Sequence, residues 1–160
     1  MKISKCMTKD VITVKEATGI KEAAALLVNN RITSMPVVDD QGSIIGIVAL
    51  SNILDVFLPD FVSLVDIDFV KDYGTLELSP EDVNKIASMY VGKVMTKDVC
   101  TVEEECSLVR ALSMFEKHNI RALPVVKDKK LVGIVSTVDI CRRFLEVWEG
   151  KVNLKKTNNK

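Results

Sequence analysis

The chain has 160 residues, 48% of them hydrophobic, and its 22 lysines and arginines balance 22 aspartates and glutamates to a formal net charge of zero. That length suits one ordinary domain or two small repeats sharing a core, and the balanced charge argues against a nucleic-acid binder, which carries a basic stripe, and against electrostatic attachment to a membrane. The longest apolar runs, such as Ile44 to Leu50, are too short to span a bilayer, and Met1 to Thr8 shows no secretory apolar segment, so a cytoplasmic protein is expected.

In chain order, a short β-type segment from Val11 to Val14 follows Met7-Thr8. An amphipathic helix comes next, with Ile20, Ala23, Ala24 and Leu27 at the i, i+3, i+4, i+7 spacing of one buried stripe. A strand is expected over Ser34 to Val38. Its Pro36 cannot donate to a ladder and so belongs at a strand start or an edge. The polar turn Asp39-Asp40-Gln41-Gly42 closes a hairpin onto a returning strand from Ile44 to Ala49. A second helix runs from about Asn52 to Leu58, where Pro59 ends it.

The same order then returns. Met95-Thr96-Lys97-Asp98-Val99 repeats Met7-Thr8-Lys9-Asp10-Val11 letter for letter, at an offset of about 88 positions. A β segment from Val99 to Val102 precedes a helix carrying Leu108, Ala111, Leu112 and Phe115 on one face. A strand from Leu123 to Val126 with Pro124, the turn Lys127-Asp128-Lys129-Lys130 and a strand from Leu131 to Ser136 follow. The last helix, Thr137 to Trp148, shows one apolar face of Ile140, Phe144, Val147 and Trp148. Pro36-Val37-Val38 recurs as Pro124-Val125-Val126, and Gly46-Ile47-Val48 as Gly133-Ile134-Val135, the offset dropping by one in the hairpin loop.

The fold class is therefore α/β (α+β): two pseudo-symmetric β-α-β-β-α repeats packed through their sheets, over 1–58 and 93–150. A linker over 59–92 separates them, and a disordered tail over 151–160 follows. Half of such a chain is marginal alone, so the halves are expected to pack on each other and leave a ligand cleft. The linker is apolar and acidic rather than Gly/Ser-rich, and Ser79-Pro80-Glu81-Asp82 is a helix start. Val83, Ile86, Ala87 and Tyr90 line one face of that helix.

Cys6, Cys100, Cys106 and Cys141 form no Cys-x-x-Cys pair and no zinc spacing, and read as small apolar residues. His118 is the only histidine, so catalytic triads and multi-histidine metal sites are hard to build. No nucleophile–base pair or P-loop is present either; the chain reads as non-catalytic, with no metal and no catalytic cofactor.

The paired Met-Thr starts, Pro-Val-Val strands and Gly-Ile-Val returns resemble CBS (cystathionine-β-synthase) domains arranged as a tandem pair, or Bateman module. The resemblance covers nearly all the chain except the linker and tail. It implies a regulatory module that binds an adenosine-containing molecule (AMP, ADP, ATP or S-adenosylmethionine) between the repeats and signals to a separate, unidentified effector protein. The family's ligand motif is glycine, an apolar residue, any residue, Ser or Thr, two residues, then Asp. Gly133-Ile134-Val135-Ser136-Thr137-Val138-Asp139 matches it in full. By resemblance, Asp139 takes both ribose hydroxyls, Ser136 faces a phosphate, and Thr137 and Val138 lie between them. A carboxylate is a two-oxygen acceptor suited to a diol, and a helix start attracts anions. Ser136-x-x-Asp139 is equally a capping box, and the two roles can coexist.

The resemblance further implies that Val11, Ile12 and Thr13, with Ser34, Met35 and Pro36, complete the site around Asp139, with core packing as the competing role. The first repeat departs from the motif. It has Ala49 in place of the hydroxyl, Ser51 beside the acid position, and Asn52 in place of the acid. A second, weaker site is expected around Asn52 with Val99, Cys100, Ala122, Leu123 and Pro124. Arg121 is there either a phosphate contact or a solvated cation. Such pairs usually form homodimers; Phe57, Leu58, Phe144 and Trp148 are interface candidates, with core burial as the alternative. A different reading is a dimerisation or scaffold protein with vestigial clefts.

Overall fold

The computed structural model describes residues 1–56 and 79–151. In chain order the elements are α1 (Ile20–Asn29), β1 (Ser34–Val38), β2 (Ile44–Ala49), α2 (Leu50–Asp55), α3 (Pro80–Ala87), β3 (Val102–Glu103), α4 (Leu108–His118), β4 (Ala122–Lys127), β5 (Lys130–Ser136) and α5 (Thr137–Trp148). Single 3-10 turns stand at Ile3–Lys5 and Val91–Lys93, and each buries its first residue completely. The end of the expected second helix at Phe57 and Leu58, Pro59, most of the linker and nearly all of the tail lie outside the described residues.

The chain forms two compact units, and each draws on both copies of the repeat. The first comprises Met1–Ile12, Val38–Ile45 and Asp98–Lys160; the second, Thr13–Val37 and Gly46–Lys97. In the first unit, β3 pairs parallel with β4, β4 pairs antiparallel with β5, and Thr8 bridges to Ile134 beyond β5. In the second, Val14 bridges parallel to Val37, β1 neighbours β2, and Thr96 bridges antiparallel to Ile47. The order of pairing is thus the same in both.

The exchange explains the repeated glycines. Thr8 and Ile134 trade two backbone hydrogen bonds of 2.9 Å, and Thr96 and Ile47 trade bonds of 2.8 and 2.9 Å. Under that pairing a Cβ on Gly133 would lie 2.7 Å from Met7 Sδ and 3.0 Å from the Thr8 carbonyl oxygen. On Gly46 it would lie 2.6 Å from Met95 Sδ. Glycine at both positions leaves the methionine of one copy room against the strand of the other.

The same pairing corrects the placement of proline. Pro124 sits inside β4, the middle strand of its sheet, rather than at a strand start or an edge. It faces Ile134, whose own N–H and C=O are both spent on Thr8. On its other side β3 begins only opposite Val125. No neighbour asks Pro124 for the donor it lacks.

Other elements are shorter than their sequence pattern. The Val11 to Val14 segment reduces to the single bridge at Val14, and the Val99 to Val102 segment to Val102, the first residue of β3. Helix α2 begins at Leu50, two residues before Asn52. The loop offset has a turn-type origin. Asp128 and Lys129 both take positive φ (50° and 66°), as a two-residue hairpin turn requires, whereas the first hairpin uses one more residue with Gly42 at φ 81°.

The core of the first unit gathers Ile3, Val102, Leu108, Ala111, Phe115, Leu123, Val125, Val135 and Ile140. In the second unit Val14, Ile20, Ala23, Leu27, Met35, Val37, Val48, Ile53, Ile86 and Val91 are buried. Leu112 and Trp148 leave their expected stripes and face solvent, and Ala24 is half-buried. Of the apolar face expected on α3 only Ile86 is buried; Val83 and Ala87 are exposed within the helix, and Tyr90 lies beyond its end in extended backbone.

Gly133→Ala is expected to cost about 1–3 kcal/mol through overpacking. Adding Met7→Ala should recover part of this, because it removes the sulfur but not the Thr8 carbonyl. Urea midpoints across the double-mutant cycle measure the coupling.

Candidate functional site

Helix α5 starts where β5 stops. Ser136 is its N-cap residue in extended backbone, with Asp139 three positions on, and the two close a reciprocal capping box. The Asp139 N–H donates to Ser136 Oγ at 3.2 Å; the Ser136 N–H and hydroxyl donate to Asp139 Oδ2 at 2.8 and 2.5 Å. Thr137 N–H donates to the Arg121 carbonyl at 3.1 Å, tying the helix start to the entry of β4. Leu50 N–H does the same to the Thr33 carbonyl, at 2.9 Å, in the second unit.

The other oxygen of Asp139 has less rigid partners. Oδ1 accepts from Arg142 Nη1 at 3.1 Å and from Thr8 Oγ1 at 3.3 Å. Asp139 is 8% exposed, the one buried charged side chain among the described residues, whereas the Arg142 side chain is 62% exposed. A buried carboxylate at a helix N-terminus is favoured by the helix dipole and by these four donors.

Its charge reaches further. Burial first, and then the Asp139 carboxylate, push the half-buried Cys6 thiol up from its ordinary value, while Arg143 and the terminal amino group oppose the shift. Cys6 Sγ donates to the Ile3 carbonyl at 3.4 Å. All four cysteines are free thiols, and Cys141 is exposed on α5.

The expected site residues divide between the units. With Asp139 in the first unit are Ser136, Thr137, Val138, Val11 and Ile12; Thr13, Ser34, Met35 and Pro36 belong to the second. Ser136, Thr137, Val11, Ile12, Thr13 and Ser34 are partly exposed and Val138 is exposed, but Met35 and Pro36 are fully buried. Of the second set, Asn52 and Ser51 lie in the second unit, and Val99, Cys100, Arg121, Ala122, Leu123 and Pro124 in the first. Leu123 and Pro124 are likewise fully buried, while Arg121 is exposed. These prolines, Met35 and Leu123 therefore serve as core packing within their own units.

Asn52 keeps half of the box. Its Oδ1 accepts the Ala49 N–H at 2.9 Å, as Asp139 accepts that of Ser136, but Ala49 has no hydroxyl to add. Sequence reasoning missed Thr8 and Arg142 as donors to Asp139. The i, i+3 spacing of Arg142 is a signal that could have found it; Thr8 arrives from 131 positions away. Among the described residues no group of three or more His, Cys, Asp or Glu side chains could hold a metal ion, and no helix is long and apolar enough to cross a membrane.

A family model described as CBS domain matches residues 3–59 and 91–146. Over 150 residues the chain is 33% identical to the uncharacterized protein MJ1404 of Methanocaldococcus jannaschii, covering 93% of this chain and 33% of that one. Over 154 residues it is 32% identical to the chloroplastic CBS domain-containing protein CBSX1 of Arabidopsis thaliana, covering 91% and 64%. It thus spans about a third and just under two thirds of these curated relatives. A solved structure of CBSX2, also from Arabidopsis thaliana, in complex with AMP superposes with a TM-score of 0.70 at 27% identity, covering 92% of this chain and 98% of that one.

Asp139→Asn should bring the Cys6 thiol down, because the second of the two causes raising it is gone. The expected result is faster alkylation of Cys6 at pH 8, with the rate-against-pH curve moved toward lower pH. Peptide mass spectrometry after timed iodoacetamide exposure reads this at Cys6 alone; an unmoved curve would contradict it.

Proposed function

The chain belongs to the CBS domain family, and from that premise we propose that it is a non-catalytic regulatory module that binds an adenosine-containing ligand at Asp139. The ligand class is AMP, ADP, ATP or S-adenosylmethionine. The observation that carries this reading is a buried carboxylate, held at a helix N-terminus, in the one copy of the motif that matches in full. The likeness to a CBS pair solved with AMP supports it. The hydroxyls of a ribose diol need acceptor positions, and Asp139 Oδ1 has two, held by the exchangeable donors Thr8 and Arg142. Thr137 and Val138 stand next to it in the chain, and Val11 and Ile12 belong to the same unit.

Asn52, with Ser51 beside it, anchors the weaker site in the second unit. Its amide accepts and donates without charge, and Ala49 offers a phosphate nothing. Binding regulates a separate effector protein by favouring one arrangement of the module over another, which requires unequal affinity for the two.

Calorimetry with AMP tests the reading. Micromolar binding corresponds to about −8 kcal/mol, and hydrogen bonds to a charged group are worth about 1.5–3 kcal/mol. Asp139→Ala should therefore weaken AMP by roughly 10- to 150-fold. Because Asp139 also caps α5, circular dichroism must show the helix retained; a folded variant with unchanged affinity rejects the assignment.

A second feature favours self-association. On α5, Val138 (62% exposed), Cys141, Leu145 (51%) and Trp148 (78%) form an outward stripe. Trp148 stacks on Phe144 with ring centroids 6.4 Å apart. Such a stripe suits a second copy of the chain, and the homodimer is part of the proposal; a scaffold without ligand is the alternative reading. Trp148→Glu is expected to shift the protein from dimer to monomer by light scattering, and an unchanged mass would remove α5 from the interface.

A further inference from the structure

Four donors fill the Asp139 carboxylate, and that arrangement bears on which ligand the site selects. A carboxylate offers about four lone-pair positions. Two on Oδ2 are taken by the N–H and hydroxyl of Ser136, which the start of α5 holds in place. Two on Oδ1 are taken by Arg142 Nη1 and Thr8 Oγ1. A diol therefore enters by displacement, and only Oδ1 can yield. The Thr8 contact of 3.3 Å is long for a bond between oxygens, and the Arg142 side chain is mostly in water.

Resting on the assignment of Asp139 to the ribose, we propose that Arg142 is the specificity-determining residue of this site. It selects ligands of net negative charge that offer an anionic group together with the diol over neutral or net-cationic adenosine compounds. A diol alone takes the place of a charge-assisted bond and leaves the guanidinium without its carboxylate. A nucleotide offers that guanidinium a phosphate instead, which its planar fork matches with two parallel bonds. Arg142 stands one turn along the same helix face, so a ligand held by Asp139 stays within its reach. S-adenosylmethionine offers the guanidinium a carboxylate but also carries a sulfonium and an ammonium, and its net positive charge ranks it below AMP. The ion pair thus acts as a competitor toward uncharged ligands and as a second anchor for phosphorylated ones.

The test is titration of the full chain with AMP, adenosine and S-adenosylmethionine at low salt, for the unaltered protein, Arg142→Gln and Arg142→Lys. The unaltered protein should prefer AMP over adenosine by about tenfold or more, one unit of the affinity logarithm, and AMP over S-adenosylmethionine as well. Arg142→Gln should shrink the AMP-to-adenosine ratio several-fold, with adenosine binding as well as before or better because Oδ1 is freed. Arg142→Lys should keep most of the ratio, and the unaltered protein should lose it as salt rises. A ratio unmoved in folded Arg142→Gln, or a preference for the sulfonium ligand, overturns the role of Arg142 and leaves the Asp139 assignment standing. Failure of the unaltered protein to bind any of the three overturns both.

Discussion

The structure depends on a reciprocal exchange of backbone hydrogen bonds. The threonine after each repeated methionine pairs with the isoleucine of the other copy's Gly-Ile-Val strand, Thr8 with Ile134 and Thr96 with Ile47. Each exchange satisfies two donors and two acceptors at a sheet edge, where unpaired groups otherwise remain. It also demands a strand with no side chain beneath the methionine, which Gly46 and Gly133 supply. Neither compact unit is assembled from one copy alone, so the duplication in the sequence is a condition of folding rather than two independent modules in a row.

That exchange positions the candidate site. Bringing Thr8 to Ile134 sets its hydroxyl near Asp139 and seats Ile3 and Met7 against the core around Ile140. The end of β5 becomes the N-cap of α5, and the cap holds one carboxylate oxygen while presenting the other. The cap occupies Oδ2 and leaves Oδ1 to the more exchangeable Thr8 and Arg142, so capping and the proposed ligand contact draw on different oxygens of the same side chain. In the first copy the cap survives through the Asn52 amide, but charge and hydroxyl are both gone. The two copies share an architecture and differ in chemistry.

Much of this was legible before any coordinates. The hairpins, the helices at Ile20–Asn29, Leu108–His118 and Thr137–Trp148, and the box at Ser136 and Asp139 follow from local spacing and capping chemistry, which act over one or two turns of chain. Misreadings arose where a remote neighbour decides. Pro124 tolerates a central strand only because Ile134 is already paired elsewhere. Val11, Ile12 and Thr13 read as a strand by composition, yet only Val14 meets a partner. Leu112 and Trp148 fit an apolar stripe by period, but a helix pattern does not say how wide a face its neighbours cover.

The sequence by itself determined that there are two copies of one unit, which residue types cap and turn the chain, and that one copy alone carries the acid. These are properties of neighbours along the chain. Only the tertiary structure decided which copy's Met-Thr pairs with which strand, that Thr8 and Arg142 fill the last positions on Asp139, and that the acid is buried while its cation is not. Pairing across more than a hundred residues is set by sheet edges and packing volume, and no local periodicity encodes it.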